Sequence, residues 1–324
     1  MKRLICIRHS VACMLVVFTA TIAHSQNYPT KSVRLIVPYA PGGIVDYAGR
    51  LIAQRLGTSL GQNFVLDNRP GAGGIIGIET ASKANADGYT LLIMDPAIVI
   101  NPSLLAHVPY DINKDLVAVT ILSSSPLVLA INAKVPANSV QDLVNLAKSQ
   151  PGTLSFASAG VGTTPHMAGE MFKARIQQNI VHVPYKGSGP AMTDLISGQV
   201  QMTFSSITAA LPFIKDGRLR GLATTGSTRA AALSNLPTIA EAGFPGFEVN
   251  LWLAVFVPAD TPKDIVARLN SELRKALQLP EMKSGLEKVG AEPLGNSPQE
   301  AAAYVKSEFG KWAKVIKDGS LRAD

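Results

Sequence analysis

The sequence predicts an α/β protein of two lobes, on three observations. Short apolar strand candidates alternate with amphipathic helical patterns, as in a largely parallel sheet. The alternation runs twice, once from residue 33 to residue 95 and again after Ser125. Two longer apolar runs, near 125–131 and 247–258, stand at the junctions. The chain would leave the first lobe, build the second, and return to finish the first. The expected division is 1–25 as a removed leader, 26–127 with 248–324 as lobe 1, and 128–247 as lobe 2. At 324 residues the chain holds about two domains' worth. With 47% apolar and 16% charged residues it can bury a large core.

Lys2, Arg3 and Arg8 precede the apolar run Val11–Ala23, and Ala23-His24-Ser25 offers a small-x-small cleavage site. About 13 apolar residues fall short of the roughly 20 that a spanning helix needs. Export with cleavage near Ser25 is therefore expected. Cys13 lacks a lipid-attachment context, because Ser10 stands where a large aliphatic residue belongs. Cleavage removes Cys6 and Cys13, so disulfides, a thiol nucleophile and thiolate metal sites are excluded. Losing Lys2, Arg3 and Arg8 lowers the 30 Lys plus Arg to 27 against 23 Asp plus Glu, a net +4. That mild, dispersed excess supports no nucleic-acid patch but is compatible with attracting small anions.

The elements follow in order. VRLIVPY is a strand, VDYAGRLIAQRLGTSLG a helix, FVLDN a strand, NRPGAGGIIG a glycine turn and TLLIMD a strand. PLVLAIN, SVQDLVNLAKS, LSFASAG and HMAGEMFKARI repeat the strand–helix rhythm. IVHVPYK, GPAMTDLISGQ, VQMTFSS and LRGLATTG continue it, and GFEVNLWLAVFVPA is the second long strand candidate. Towards the C-terminus, Thr261 is the expected cap of a helix that opens on Pro262. Ser297 and Glu300 form a capping box for the last helix. Gly285, Gly290 and Gly319 fall at or near the expected stops.

Two glycine turns carry the functional signal. At a strand–turn–helix junction the free N–H groups and helix dipole suit a carboxylate or phosphate, and glycine admits a ligand close to the backbone. APGGIVD places Ala40, Pro41, Gly42, Gly43 and Asp46 in that position in lobe 1. ASAGVGTTPH does the same in lobe 2, with Ser158, Thr163 and Thr164 as hydroxyl donors. Either turn alone is explained by geometry; one per lobe points to an anion cleft. NRPGAGGIIG with Asp95 further on resembles a dinucleotide fingerprint, but the required third glycine is Ile76, so that reading fails. The elbow of serine hydrolases, the HExxH zinc motif and the phosphate-binding P-loop are absent. Of the three histidines left after cleavage, His182 sits in a strand as a structural residue would. His166 opens a helix, where bracing the loop and touching ligand are equally open. Asp46 serves its helix dipole or fixes the loop for ligand. Trp252 is expected to be a packing residue, on the second crossing strand where closure could be sensed.

The ordered strings PGGIVD, LGQNFVLDNRPGAGGIIG, DGYTLL, INPSL, SAGVGTTPHMAGE, HVPYKGSGPAMTDLISGQV and LPTIAEAGFPGFEV resemble the solute receptors of tripartite tricarboxylate transporters, the Bug family. The resemblance covers nearly the whole chain after the leader. It implies a two-lobed periplasmic binding-protein fold (Venus flytrap, type II-like) with two hinge-crossing strands. It also implies a periplasmic location, a small organic carboxylate ligand and membrane permease subunits as partners. The ligand residues it implies are Ala40, Pro41, Gly42, Gly43 and Asp46 in the first loop. Ser158, Gly160, Gly162, Thr163 and His166 follow in the second, and Ser205 as a third position. Three departures stand out: Phe204-Ser205-Ser206 lacks the family's aspartate, Asp95 is a gained acid, and Ile44-Val45 makes the first loop's rim apolar. Asp95 and Ser205 are expected near the distal end of the solute. The expectation is a binding protein rather than an enzyme, with no cofactor, no metal and no nucleic acid, acting as a monomer. Alternatives are an exported enzyme using His166 and Asp46 as acid and base, and a sensory receptor.

Overall fold

Ten strands and ten α-helices follow one another in the computed structural model, which describes residues 28–318 and residue 321. The expected leader, both cysteines and Gly319 lie outside the described residues. Everything below belongs to one compact unit, Lys31–Asp324.

Two sheets share one strand. The first has the order β2 (Phe64–Asn68), β1 (Val33–Val37), β3 (Thr90–Met94), β9 (Asn250–Pro258), β4 (Leu116–Asn132) and β10 (Glu292–Pro293). β1 is parallel to both β2 and β3, whereas β9 runs antiparallel to β3 and β4. The second sheet has the order β8 (Leu219–Thr224), β4, β7 (Met202–Ser206), β5 (Ser155–Ser158) and β6 (Val181–Pro184). Strands such as β1, β3 and β9 read as continuous apolar runs because both faces are covered: Leu35, Ile36, Leu91, Leu92, Val255 and Phe256 are all buried.

The 17-residue β4 is the junction. Up to Pro126 it pairs with β9, ending on Pro126 opposite Asn250; from Leu127 onward it pairs with β7 and β8. Proline has no N–H to give a ladder, so the change of partner falls where one ladder bond is already missing. Thr225 ties the two crossings together. Its N–H donates to Leu127 O at 2.9 Å and its Oγ1 to Val249 O at 2.5 Å, while the N–H groups of Leu127 and Val249 donate back to it at 2.8 and 3.0 Å.

The helices are α1 (Ile44–Leu60), α2 (Ile75–Ser82), α3 (Ala97–Leu104), α4 (Val140–Ser149), α5 (Thr164–Ile176), α6 (Ser188–Ser197), α7 (Ile207–Lys215), α8 (Lys263–Gln278), α9 (Pro280–Glu287) and α10 (Pro298–Asp318). Each turns its apolar stripe to a sheet; α1, for example, buries Ile44, Ala48, Ile52 and Leu56. α10 packs on α3 and β4 through Ala301, Val305, Trp312 and Ile316. Its capping box is formed: Glu300 N–H donates to Ser297 Oγ at 3.3 Å and Ser297 N–H to Glu300 Oε2 at 2.8 Å.

Several local expectations are corrected. Helix α8 is flanked by Pro262, and Thr261 instead donates its hydroxyl to Pro258 O at 2.7 Å, closing the turn after β9. Gly285 lies near the end of α9, which closes at Glu287, and Tyr47 OH donates to its carbonyl at 3.0 Å. Trp252 faces α10, not the cleft, and donates its indole N–H to buried Glu308 at 3.0 Å. The short helices α2 and α3 were not separable from glycine turn and strand end by periodicity, since eight residues give barely two turns.

Candidate functional site

The two glycine loops face each other across the sheets, and a third joins them. The first loop leads from β1 into α1, the second from β5 into α5. Lys186-Gly187-Ser188-Gly189 leads from β6 into α6. Ala40 N–H donates to Lys186 O at 3.0 Å, joining the first loop to the third. A Cβ on Gly43 would stand 3.3 Å from Ser188 Oγ. The 71–74 loop supports the same contact from the side. At Gly73, with φ +61°, a Cβ would fall 1.9 Å from Val161 O; at Gly162, with φ +75°, it would fall 1.7 Å from Asn101 Oδ1. Glycine at 73 lets the two backbones meet directly, and glycine at 162 makes room for the Asn101 side chain.

Between the loops lies a cavity of about 20 Å³, room for about one water. The first sheet contributes Gly43, Asp46 and Asp95 to its wall; the second contributes Ala159, Pro165 and Ser188. Leu251, at the start of β9, and the apolar pair Ile44 and Val45 complete it. The helices that end here, α1, α5 and α6, carry no side-chain cap at Gly43, Thr163 or Gly187. Ser139 caps α4 and Ser206 caps α7 with their side chains, whereas α2, α3, α8 and α9 also lack a side-chain cap. What sets α1, α5 and α6 apart is that their N-termini, with their dipoles' positive ends, stand at one cavity.

Each predicted residue can now be placed. Asp46 does not project freely as a ligand. It holds Arg50 through two contacts of 3.1 Å, accepts from Asn68 Nδ2 at 3.2 Å and takes a long 3.4 Å bond from Gly42 N–H. It anchors the first loop, and Ala40, Pro41 and Gly42 form the segment that meets the third. Ser158, Gly160 and Thr163 form an internal brace: Thr163 Oγ1 donates to Gly160 O at 2.6 Å, and Gly160 N–H donates to Ser158 Oγ at 3.1 Å. Gly162 N–H donates to His166 Nδ1 at 3.2 Å, which leaves the proton of neutral His166 on Nε2. Ser205 is buried at the end of β7 and is outside the cavity lining. Its Oγ, like those of Thr164 and Thr224, finds no partner in the protein.

The histidines are adjacent. His166 and His182 stack at 4.2 Å between ring centroids, and His182 stacks on Phe156 at 4.7 Å. Burial lowers His166 to about 4, helped by the charge of Lys173; burial, His166 and Lys173 lower His182 to about 3. Ser158 Oγ and His182 Nε2 are 2.6 Å apart, a separation that suits a nucleophile and its base. A base near 3 is far too weak for that role at neutral pH. His166 near 4 is equally unsuited to general acid–base work with Asp46.

Asp95 is buried at the cavity wall. Tyr39 OH donates to its Oδ1 at 2.9 Å and Ala97 N–H to the same oxygen at 3.0 Å. Burial raises its carboxyl to about 6, against the opposing pull of those bonds. Burial and then the Asp95 charge push the Tyr39 phenol well above its usual value. No group of His, Cys, Asp and Glu suited to a metal occurs among the described residues.

Sequence reasoning missed Tyr39, Ala159, Pro165, Ser188 and Leu251. Ser188 had a readable signal, because KGSGP between strand and helix repeats the pattern of the two recognised loops. Leu251 had none, because its arrival depends on how β9 pairs.

The fold defines a class: a two-lobed binding protein of the periplasmic kind, with the candidate site between its sheets. Residues 48–321 match the family described as the tripartite tricarboxylate transporter family receptor, and the chain belongs to that family. It is 38% identical over 321 residues to a protein encoded in the tcbD-tcbE intergenic region of Pseudomonas sp. strain P51, covering 98% of this chain and 96% of that one. It is 36% identical over 296 residues to BugT of Bordetella pertussis, covering 91% of each. Among solved structures it is similar to R. palustris Rpa4515 with adipate, with a TM-score of 0.89 and 38% identity over 91% of this chain and 99% of that one. The periplasmic binding protein BugD also gives 0.89, with 31% identity over 92% and 100%. MatC from Rhodopseudomonas palustris with bound malate gives 0.85, with 29% identity over 89% and 100%.

Proposed function

We propose that the chain is an exported receptor that captures a small organic carboxylate between its lobes and delivers it, unmodified, to the permease of a tripartite tricarboxylate transporter. The carrying observation is the convergence of three uncapped helix N-termini, α1, α5 and α6, on one cavity between the sheets. Fixed N–H donors in a dry cleft bind a carboxylate through charge-assisted hydrogen bonds. Similar proteins solved with adipate and with malate support the ligand class. The lobes are taken as 26–127 with 248–324, and 128–247. The change of partner along β4 at Pro126 and Leu127, with Thr225 holding Val249, supports that division. In this closed arrangement the cavity is too small for any such solute, so binding requires the lobes to part about β4 and β9 and to reclose.

The test is a thermal-shift panel of mono-, di- and tricarboxylates on the purified mature chain, with mass spectrometry of recovered ligand. A saturable rise in Tm with one carboxylate class, and recovery of that compound intact, is the expected result. A flat panel, or turnover of the bound compound, would defeat this reading.

A further inference from the structure

The cavity wall holds two carboxylates and, among the described residues, no Lys, Arg or His. The two acids differ. Asp46 is neutralised from behind by Arg50. Asp95 has no cation: its partners are the Tyr39 phenol and the Ala97 amide, both on Oδ1, and its own backbone amide, and it takes part in no ion pair among the described residues. A buried carboxylate without a cationic partner is costly. Its burial raises the carboxyl to about 6, which still leaves it mostly ionised at neutral pH. Where a protein keeps such a charge in the wall of a binding cleft, the missing complement belongs to the ligand.

We infer that the cleft is built for a solute with one carboxylate and, at its other end, a hydrogen-bond-donating head, with ammonium preferred over hydroxyl, and that Asp95 discriminates against dicarboxylates. The inference rests on reading the cleft as a carboxylate clamp. The solute's carboxylate takes the helix N-termini, and its donor head takes Asp95 Oδ2, the oxygen that accepts neither the Tyr39 nor the Ala97 bond. A second carboxylate in that place would face Asp95 at close range in a low-dielectric cavity, where like charges repel strongly. Ile44, Val45 and Leu251 offer an apolar wall to the methylene chain between the two ends.

The experiment is calorimetric titration of the mature chain at pH 7.5 with matched linear series of roughly four to eight carbons: ω-amino acids, ω-hydroxy acids, plain monocarboxylates and dicarboxylates. At the best chain length the ω-amino acid should bind at least about tenfold tighter than the dicarboxylate, with the ω-hydroxy acid between them. Asp95→Asn keeps an acceptor for Tyr39 and Ala97 while removing the charge, and should shrink that ratio at least about tenfold. Asp95→Ser serves if the first variant does not fold. A dicarboxylate that binds as tightly as the ω-amino acid, or an unchanged ratio in the variant, overturns the inference while leaving the carboxylate receptor intact. If no carboxylate of any series binds, the receptor reading falls and takes the inference with it.

Discussion

At the scale of the residue, the cleft is governed by a few atoms whose roles depend on who stands behind them. Asp95 illustrates this with a pH signature. Its folded carboxyl lies near 6 and its unfolded value near 3.8, so the native state holds the proton more tightly between those values. Stability therefore falls as pH rises from about 4 to 6 and stays lowered above 6, by up to about 3 kcal/mol. Asp95→Asn should raise the urea midpoint at pH 8 and leave it nearly unchanged at pH 4; equal gains at both pH values would remove the charge from the account. Gly73 gives a second prediction. Alanine there would meet Val161 O, holding the lobes apart, so Gly73→Ala should weaken carboxylate binding by about tenfold or more, while the left-handed backbone at φ +61° costs the ligand-free chain about 1–2 kcal/mol. Unchanged affinity would show that this contact is not made in the bound state. The sequence showed which loops carry glycine and polar groups. It did not show that Asp46 is spent on Arg50 or that Ser158 and Thr163 brace their own loop, because those partners are chosen by packing.

At the scale of the element, β4 and α10 matter most. Only the part of β4 from Pro126 to Asn132 was legible as a crossing strand; Leu116–Ser125 was not, and nothing local indicates that Thr225 pins β4 to Val249. Thr225→Val removes a hydroxyl that donates to Val249 O and accepts from Leu127 N–H. A loss of roughly 2 kcal/mol is expected from leaving those buried groups unpaired, measured by denaturant unfolding; a neutral change would mean the hinge holds without this bond. Glu308 on α10 accepts from both indoles, Trp252 Nε1 at 3.0 Å and Trp312 Nε1 at 3.3 Å. Glu308→Leu should cost roughly 2–4 kcal/mol, shift Trp fluorescence and leave carboxylate affinity nearly unchanged, since α10 lies away from the cavity lining. A large affinity loss would show that α10 communicates with the site. Trp252 thus reports on the seam between β9 and the terminal helix rather than on ligand.

At the scale of the whole molecule, the paired histidines set the acid limit and the hinge sets the shape. His166 and His182 lie near 4 and 3 when folded but near 6.5 when unfolded. The unfolded chain therefore binds more protons through that window. Their contribution is fully present above about 6.5 and is lost as pH falls through the folded values. Screening at the partly exposed His182 keeps the loss by pH 4 on the order of 3 kcal/mol. The Asp95→Asn background removes the opposing carboxyl trend; denaturant midpoints there that do not fall between pH 7 and 4.5, or that fall identically when His166→Gln is added, would exclude this linkage.

By itself the sequence determined the α/β rhythm, the two crossing strands, the glycine loops and the receptor family. Those features depend on local periodicity, on backbone freedom and on strings that keep their order. Only the tertiary structure decided which acids are neutralised, that a third loop carrying Ser188 completes the site, and that Trp252 turns away from it. The physical reason is the same in each case. Whether a charge is paired, a helix end capped or a side chain buried depends on neighbours that are far away in the chain and meet only when the sheets close on one another.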